Sequence, residues 1–324
     1  MTADMAMTKV NKKERWAKVK RFRRNLPFLV MMIPGIVVLL INNYLPMVGT
    51  VMAFQQYRFR DSFINSLLTS KWVGLANFQF LFKNPTLWTN LRNTIVYNLI
   101  FILVGMILPV AFAIAMNELW RPKLGKIYQS ILFLPYFLSW IIVSYLVFAF
   151  LQDNGAINSM ILTPLGMDKV NWYGANAKNF WAFLIVFLQA WKYTGYNTVV
   201  YLATLSGIST EYYEAAAIDG VTKWQQIRYI TLPMLRPTII ILSLLAVGRI
   251  FNSDFGLFYN VPMGRSSLYA VTEVLDTFIY RAMRGATEYG MPVAASLFQS
   301  VVGCITIVTA NLVVKKIDAD SSLF

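Results

Sequence analysis

Six stretches of mostly apolar residues, each about 20 residues or more, dominate this sequence. Each is long enough to cross a hydrocarbon core of roughly 30 Å as a helix. They run approximately over Phe28–Tyr44, Asn93–Met116, Ile127–Leu151, Phe180–Leu205, Thr238–Phe258 and Met291–Val314. Lipid offers backbone amides and carbonyls no hydrogen bonds, so such a chain satisfies them within helices, and an all-α membrane bundle is expected. Composition agrees. Hydrophobic residues make up 57% of the 324 positions and charged residues only 14%, where a soluble domain carries roughly a quarter. The first stretch is irregular, because Pro46 and Gly49 interrupt an apolar tract that continues to Phe54. A kinked helix or a short re-entrant piece is expected there.

Lysine and arginine set the orientation. Lys9, Lys12, Lys13, Arg15, Lys18, Lys20, Arg21, Arg23 and Arg24 precede the first stretch. Arg121, Lys123 and Lys126 fall in a later loop on the same side, followed by Lys223, Arg228 and Arg236, then by Lys315 and Lys316. The opposite loops carry fewer cations, so both termini and the loop around residue 223 are expected in the cytoplasm. The division that follows is a basic cytoplasmic segment, residues 1–27, and a six-helix domain, 28–324, containing a cytoplasmic loop at 206–237. The N-terminal stretch is too charged for a signal peptide and no cleavage site follows, so the first span is expected to stay in the membrane. Trp16, Val19 and Phe22 recur at spacing three among its cations, as in an interfacial helix on anionic lipids, or as incidental residues in a plain positive flank. The net charge of +14 therefore reads as topology and lipid contact rather than nucleic-acid binding. The outward loops Gln55–Arg92 and Gln152–Asn179 carry Trp72, Trp88, Trp172 and Tyr173, suited to the membrane interface.

Several chemistries fall away. The chain has no histidine and one cysteine, Cys304, which excludes disulfide frameworks, zinc sites of the usual kind and Ser–His or Cys–His nucleophiles. Gly125-Lys126 lacks the upstream glycine and following Ser/Thr of a phosphate-binding loop, so the chain has no visible means of using ATP itself.

Between the fourth and fifth stretches lies a polar segment with helix signals, Glu211–Pro237. Ser209 or Thr210 can cap a helix whose first turn holds Glu211, facing the positive end of the dipole. Ala215, Ala216 and Ala217 favour helix and leave a small face for close approach. Gly220 is a natural stop. Thr222 and Gln225 form a capping-box pattern, and Pro233 and Pro237 are expected to end the segment where the fifth span begins. Two short helices at an angle, held at the membrane surface, are expected.

The spacing Glu214-Ala215-Ala216, Gly220, then Ile230-Thr231-Leu232-Pro233, with Asp219 and Pro237, resembles the EAA motif of ABC-importer permeases. The resemblance extends over nearly the whole chain and is nearest to carbohydrate-type permeases with six spans and cytoplasmic ends, the type I importer fold. Tyr44-Leu45-Pro46-Met47 with Ala53-Phe54, and Gly248–Phe255, resemble the branch that imports oligosaccharides and polysaccharide fragments, and within it the permeases of bacterial alginate importers. The resemblance implies a bacterial inner-membrane protein that is not itself an enzyme and binds no cofactor. ATP and magnesium would be held by two separate ATPase subunits. A second, similar permease would complete the path, and an extracytoplasmic solute-binding protein would deliver cargo. Glu214, Ala215, Ala216, Asp219, Gly220, Ile230, Leu232 and Pro233 would belong to the ATPase-coupling loop. Glu214 would meet a basic group, the alanines would permit close packing, and Gly220 would let the chain turn.

Cargo is read from charges inside the spans. Lys192 and Arg249 each lie about 12 residues into a span, about 18 Å deep at 1.5 Å per residue. A charge there costs at least ~2.5–3.5 kcal/mol and should face protein or water. Asp254 is the nearby acid, and the excess positive charge suits an anionic cargo such as a uronate oligosaccharide. Tyr193, Tyr196 and Asn197 flank Lys192, and Asn252 flanks Arg249, as faces and polar groups for sugar. Alternatively, Lys192 and Arg249 cap backbone carbonyls or pair with Asp254 to fix helix packing. A secondary transporter with its own intramembrane charged site is the rival class, with Asp254 as its sole clear coupling carboxylate.

Overall fold

The computed structural model describes residues 24–118 and 122–318 and is helical almost throughout. The basic stretch with Trp16, Val19 and Phe22, and Arg121, lie outside the described residues. The chain divides into two compact units, residues 1–52 and 53–324. The described part of the first unit is helix α1, Arg24–Phe54, which continues briefly into the second. Pro46 has no amide hydrogen to give. The helix accordingly loosens to a π-turn over Leu40–Tyr44, with the Leu45 amide reaching back to the Leu40 carbonyl, and then tightens to a 3-10 helix over Leu45–Phe54. The expected interruption is thus a change of helical pitch within one 31-residue span.

In the second unit a short antiparallel pair, β1 (Gln55–Gln56) with β2 (Lys71–Trp72), brackets helix α2 (Phe63–Thr69). Helix α3 (Ala76–Lys83) leads into α4 (Pro85–Asn117). Then follow the broken pair α5 (Gly125–Phe137) and α6 (Trp140–Leu151), which meet at 93°. Helix α7 is Lys178–Leu205 and α8 is Thr210–Ile218. Helix α9 (Lys223–Val247) is followed by α10 (Phe255–Asn260), α11 (Tyr269–Thr272), α12 (Leu275–Arg284) and α13 (Gly290–Lys316). Among the described residues, four helices are long and apolar enough to cross a membrane, namely α1, α4, α9 and α13, or five if α5 and α6 form one bent span. Helix α7 has the length, 28 residues, but Gln189, Lys192, Asn197 and several hydroxyl residues make it too polar to join them.

The fifth apolar stretch differs most from expectation. It is not helical from Thr238 to Phe258. Helix α9 begins at Lys223, incorporates a π-turn over Ile227–Thr231, carries Pro237 inside it, and stops at Val247. Pro233 falls in the first turn after the π-turn, where a missing amide hydrogen costs least. The polar segment is therefore one short helix, α8, joined to the foot of a long one.

Helices α4 and α7 pack along each other. Tyr201, Leu205, Val110 and Ala113 are buried there, with Leu235 from α9. A larger core joins α6 and α7 to α10 through Val143, Val147, Trp181, Ile185, Leu257 and Phe258. The polar residues of α4 recur at helical spacing and hold the loop around residue 273. Asn93 Nδ2 donates to the carbonyls of Ala270 (3.1 Å) and Glu273 (3.0 Å), the Leu275 amide donates to Thr94 Oγ1 (2.9 Å), and the Tyr97 hydroxyl donates to the Val271 carbonyl (2.8 Å).

Helix α7 approaches the end of α5 so closely that a Cβ on Gly195 would lie 1.9 Å from the Leu132 carbonyl oxygen and 2.8 Å from the Phe133 amide nitrogen. The obstacle is backbone, so no rotamer change relieves it. Gly195→Ala is expected to cost at least the ~1–3 kcal/mol of core overpacking. A thermal midpoint of the purified protein unchanged from wild type would contradict this packing.

Candidate functional site

The bend between α5 and α6 sets the geometry of the centre. The chain leaves α5 through a 3-10 turn, Leu134–Phe137, and restarts at Ser139, whose Oγ caps the Ile142 amide (3.3 Å). A helix that stops this way leaves carbonyls without intrahelical partners, at its negative end. Lys192 of α7 meets them. Its Nζ donates to the Tyr136 carbonyl at 2.9 Å, to the Leu138 carbonyl, and more weakly to that of Pro135 at 3.5 Å. The ring of Trp140 lies 5.3 Å from the ammonium, with Tyr136 at 5.8 Å and Tyr193 at 5.9 Å, within cation–π range. Only 6% of Lys192 is exposed. Of the two arrangements expected for Lys192, its position here is the one that caps backbone carbonyls. Lys192 does not line the central cleft, because its donors are spent on the backbone of a broken helix.

The next residue on α7 turns roughly 100° away, as helical geometry requires. The Tyr193 hydroxyl donates to Asp254 Oδ2 at 2.8 Å, as does Trp140 Nε1. Asp254 Oδ1 accepts from the Leu257 amide (3.3 Å), making Asp254 the N-cap of α10. Asp254 is therefore held by α6, α7 and α10 at once.

A second break lies between Val247 and Phe255, and its backbone is also satisfied by side chains. Asn98 Nδ2 donates to the carbonyls of Ile250 (2.9 Å) and Asn252 (3.2 Å). Gln299 Nε2 donates to the Phe251 carbonyl (2.7 Å) and to Asp276 Oδ1 (3.0 Å), and the Ser253 amide donates to Asp276 Oδ2 (2.7 Å). Burial pushes the Asp276 carboxyl up from its ordinary value, against the hydrogen bonds from Gln299 and Ser253.

Beside the second break lies a cleft of about 660 Å³, walled by α4, α7, α9 and that break. Tyr193, Asn197, Arg249, Asn252 and Asp254 line it, as does Gln189. An adjoining recess of about 550 Å³ shares Tyr193, Asn197 and Arg249 and adds Tyr196. Tyr196 stacks on Tyr136 at 4.5 Å with planes 13° apart. Arg249 is exposed, and among the described residues its guanidinium has neither an ion pair nor a hydrogen-bond partner. Of the seven path residues read from the sequence, six border this space, and Lys192 does not. The sequence reading missed Asn98, Trp140, Gln189, Asp276 and Gln299. Asn98, Gln189 and Gln299 were visible as amides inside apolar stretches, but Asn98 and Gln299 bond backbone carbonyls at a break that hydropathy does not mark.

The second constellation is the hairpin of α8 and the foot of α9. Ser209 Oγ caps the Glu211 amide (3.3 Å). Two hydrogen bonds close the other end, from the Gly220 amide to the Ala217 carbonyl (3.1 Å) and from the Val221 amide to the Ala216 carbonyl (2.9 Å). This is a Schellman closure, and Gly220 takes the left-handed conformation it needs, with φ +76°. Asp219 is the C-cap. The capping box of Thr222 and Gln225 forms as expected. The Tyr213 hydroxyl lies 3.0 Å from Thr231 Oγ1, tying α8 to α9, and Lys223 pairs with Glu118 at 3.0 Å, tying the hairpin to the end of α4. Glu214 and Ala215 are exposed, Ala216 and Ile230 half-buried, and Leu232 and Pro233 exposed. Ile218, Trp224 and Tyr229 present large apolar surface, 88%, 70% and 68% exposed.

These two breaks predict opposite behaviour for the two cations. Lys192→Ala removes the donor to three carbonyls, where each buried unsatisfied group costs about 1–3 kcal/mol. Arg249→Ala removes no side-chain hydrogen bond among the described residues. Thermal denaturation in detergent should show a clear drop for the first and little change for the second. Equal effects would refute the distinction.

Comparison with known proteins agrees with this architecture. Residues 107–317 match the family described as binding-protein-dependent transport system inner membrane component. The protein LplB of Bacillus subtilis is 34% identical over 306 residues, covering 92% of this chain and 91% of LplB. The polygalacturonan/rhamnogalacturonan transport system permease protein YteP of Bacillus subtilis is 31% identical over 288 residues, covering 89% and 87%. A crystal structure of a bacterial ABC transporter involved in the import of the acidic polysaccharide alginate superposes with a TM-score of 0.80 at 30% identity, over 92% of this chain and 98% of the matched one. The same kind of transporter, solved with an alginate pentasaccharide-bound periplasmic protein, gives 0.78 at 31% identity, covering 92% and 97%. With the family match spanning well over half its length, this chain belongs to the inner-membrane components of binding-protein-dependent ABC transport systems.

Proposed function

We propose that the chain is one of two membrane-spanning halves of an ATP-driven importer of acidic oligosaccharides, alginate-like in chemistry, in a bacterial inner membrane. The observation that carries this reading is the hairpin. A helix capped at both ends, tied to α4 and α9, and presenting Glu214 beside exposed Ile218, Trp224 and Tyr229, is built to seat in a cleft of another protein and pass rigid-body motion to the spans. In this reading the partner is an ATPase subunit, one for each permease half, which holds ATP and magnesium. Glu214 meets a basic group there and Ala215 and Ala216 allow close packing, while Asp219, Ile230, Leu232 and Pro233 shape the hairpin. A second permease subunit closes the path, and a solute-binding protein delivers cargo at the outer face. The chain then crosses the membrane six times, with α7 as the polar span, and keeps both ends and the hairpin in the cytoplasm.

The cargo reading rests on Arg249. Among the described residues it is an unpaired cation, in a cleft that also offers the Tyr193 ring and the side chains of Gln189, Asn197 and Asn252. A planar guanidinium recognises carboxylates in bidentate fashion. Polar residues beside aromatic faces suit sugar hydroxyls and rings. Two of the relatives above are named for uronate-containing polysaccharides, which supports the same class of cargo.

Gly220→Val places a β-branched residue in a left-handed conformation, at a cost of about 1–3 kcal/mol. In liposomes holding the complete importer it should uncouple ATP hydrolysis from uptake, or release the ATPase, and Glu214→Ala should weaken ATPase association. Wild-type uptake and wild-type association in both variants would sink the coupling assignment.

A further inference from the structure

Helix α10 has a different cavity at each end. Its N-terminal residues Phe255 and Gly256 line the central cleft. Its C-terminal residues Tyr259 and Asn260 line a separate, open cavity of about 770 Å³, together with Tyr145, Tyr269, Arg281 and Arg284. We propose that this second cavity is a subsite for an acidic oligosaccharide, where cargo is held before it reaches the central cleft. The proposal rests on the acidic-cargo reading above and extends it to new residues.

The two arginines are not equivalent. Arg281 is occupied. It is paired with Glu273, and its guanidinium lies over the Tyr269 ring at 3.9 Å. Asn90 Nδ2 holds the other oxygen of Glu273 at 3.3 Å. Arg284 is exposed, donates Nη1 to the Tyr259 hydroxyl at 3.2 Å, and has no carboxylate partner among the described residues. That contact fixes the plane of the fork and leaves its other N–H groups for a carboxylate, the geometry a uronate residue requires.

Aromatic rings connect the two cavities. Phe255 and Tyr259 stack with centroids 4.9 Å apart and planes 14° apart, and Tyr280 packs edge-on to both, at 5.0 and 5.1 Å. The stacked pair thus puts one ring in the wall of the cleft, Phe255, and one in the wall of the Arg284 cavity, Tyr259. The cavity wall also carries strain. Met263, which is not glycine, has φ 54°, beside Gly264 at φ 65°. The turn is closed by the Arg265 amide on the Pro262 carbonyl (3.2 Å) and by the Tyr269 hydroxyl on the Gly264 carbonyl (3.2 Å). Strain of this kind persists where surrounding contacts over-determine it, and it concentrates at binding sites.

The test uses the complete importer in liposomes, with loaded solute-binding protein, and follows initial uptake of a linear uronate trisaccharide. Arg284→Gln should lower uptake about tenfold, the worth of one charge-assisted contact, and Arg284→Lys should restore part of it. Docking of the unloaded binding protein should be unchanged. Normal uptake in Arg284→Gln, or an equal loss in docking of the unloaded binding protein, would overturn the subsite, the latter by making Arg284 a protein contact. Arg249→Gln in the same assay separates the failures. Impaired uptake there with normal uptake in Arg284→Gln rejects only the Arg284 subsite. No uronate uptake by the wild type rejects the acidic-cargo reading, and this subsite with it.

Discussion

A backbone polar group in apolar surroundings must find a partner, and this protein breaks helices in two places where the nearest partners are side chains. The α5–α6 bend turns its carbonyls toward Lys192. The break after Val247 turns its own toward Asn98 and Gln299. Unsatisfied, each group would cost about 1–3 kcal/mol. Satisfied, the breaks become fixed points that hold α4, α6, α7 and α10 at set distances. Asp254 then joins them, accepting from Trp140 and Tyr193 while capping α10.

The central cleft follows from this arrangement. Continuous helices would close the space with side chains from one end to the other. The break after Val247 leaves a polar chamber beside it, edged by groups with hydrogen-bonding capacity to spare. Arg249 lies in the second break, where it is free of the packing that consumes Lys192. The hairpin is fixed by different means, a Schellman closure, a capping box and an ion pair to Glu118, so it can move as a unit with the feet of α4 and α9. In the proposed function the hairpin is the handle, and the chamber the path, of an alternating-access permease.

Much of this was legible in the sequence. The hairpin was, because caps, glycine stops and capping boxes are local rules that operate within a few residues. Ser209, Gly220 and the Thr222–Gln225 pair act as their types dictate. The helix through Pro237 was not, since proline marks a helix boundary only on average. The two cations show the limit most clearly. Lys192 and Arg249 have the same charge, the same depth along a stretch and similar neighbours in sequence. What separates them is the carbonyl cluster at Leu138, more than 50 residues from Lys192 along the chain. Hydropathy counts the bend as one apolar run, so nothing in the pattern announces that a cation is needed there.

The most direct measurement is solvent access to the cleft. Cys304 is the sole cysteine, so Cys304→Ser gives a thiol-free background for Asn197→Cys. A water-soluble methanethiosulfonate should label that thiol in the assembled importer, and an acidic oligosaccharide delivered by the binding protein should slow the labelling. A thiol that stays unreactive throughout the ATPase cycle, or one that reacts at the same rate with and without cargo, would contradict a cargo path through the cleft.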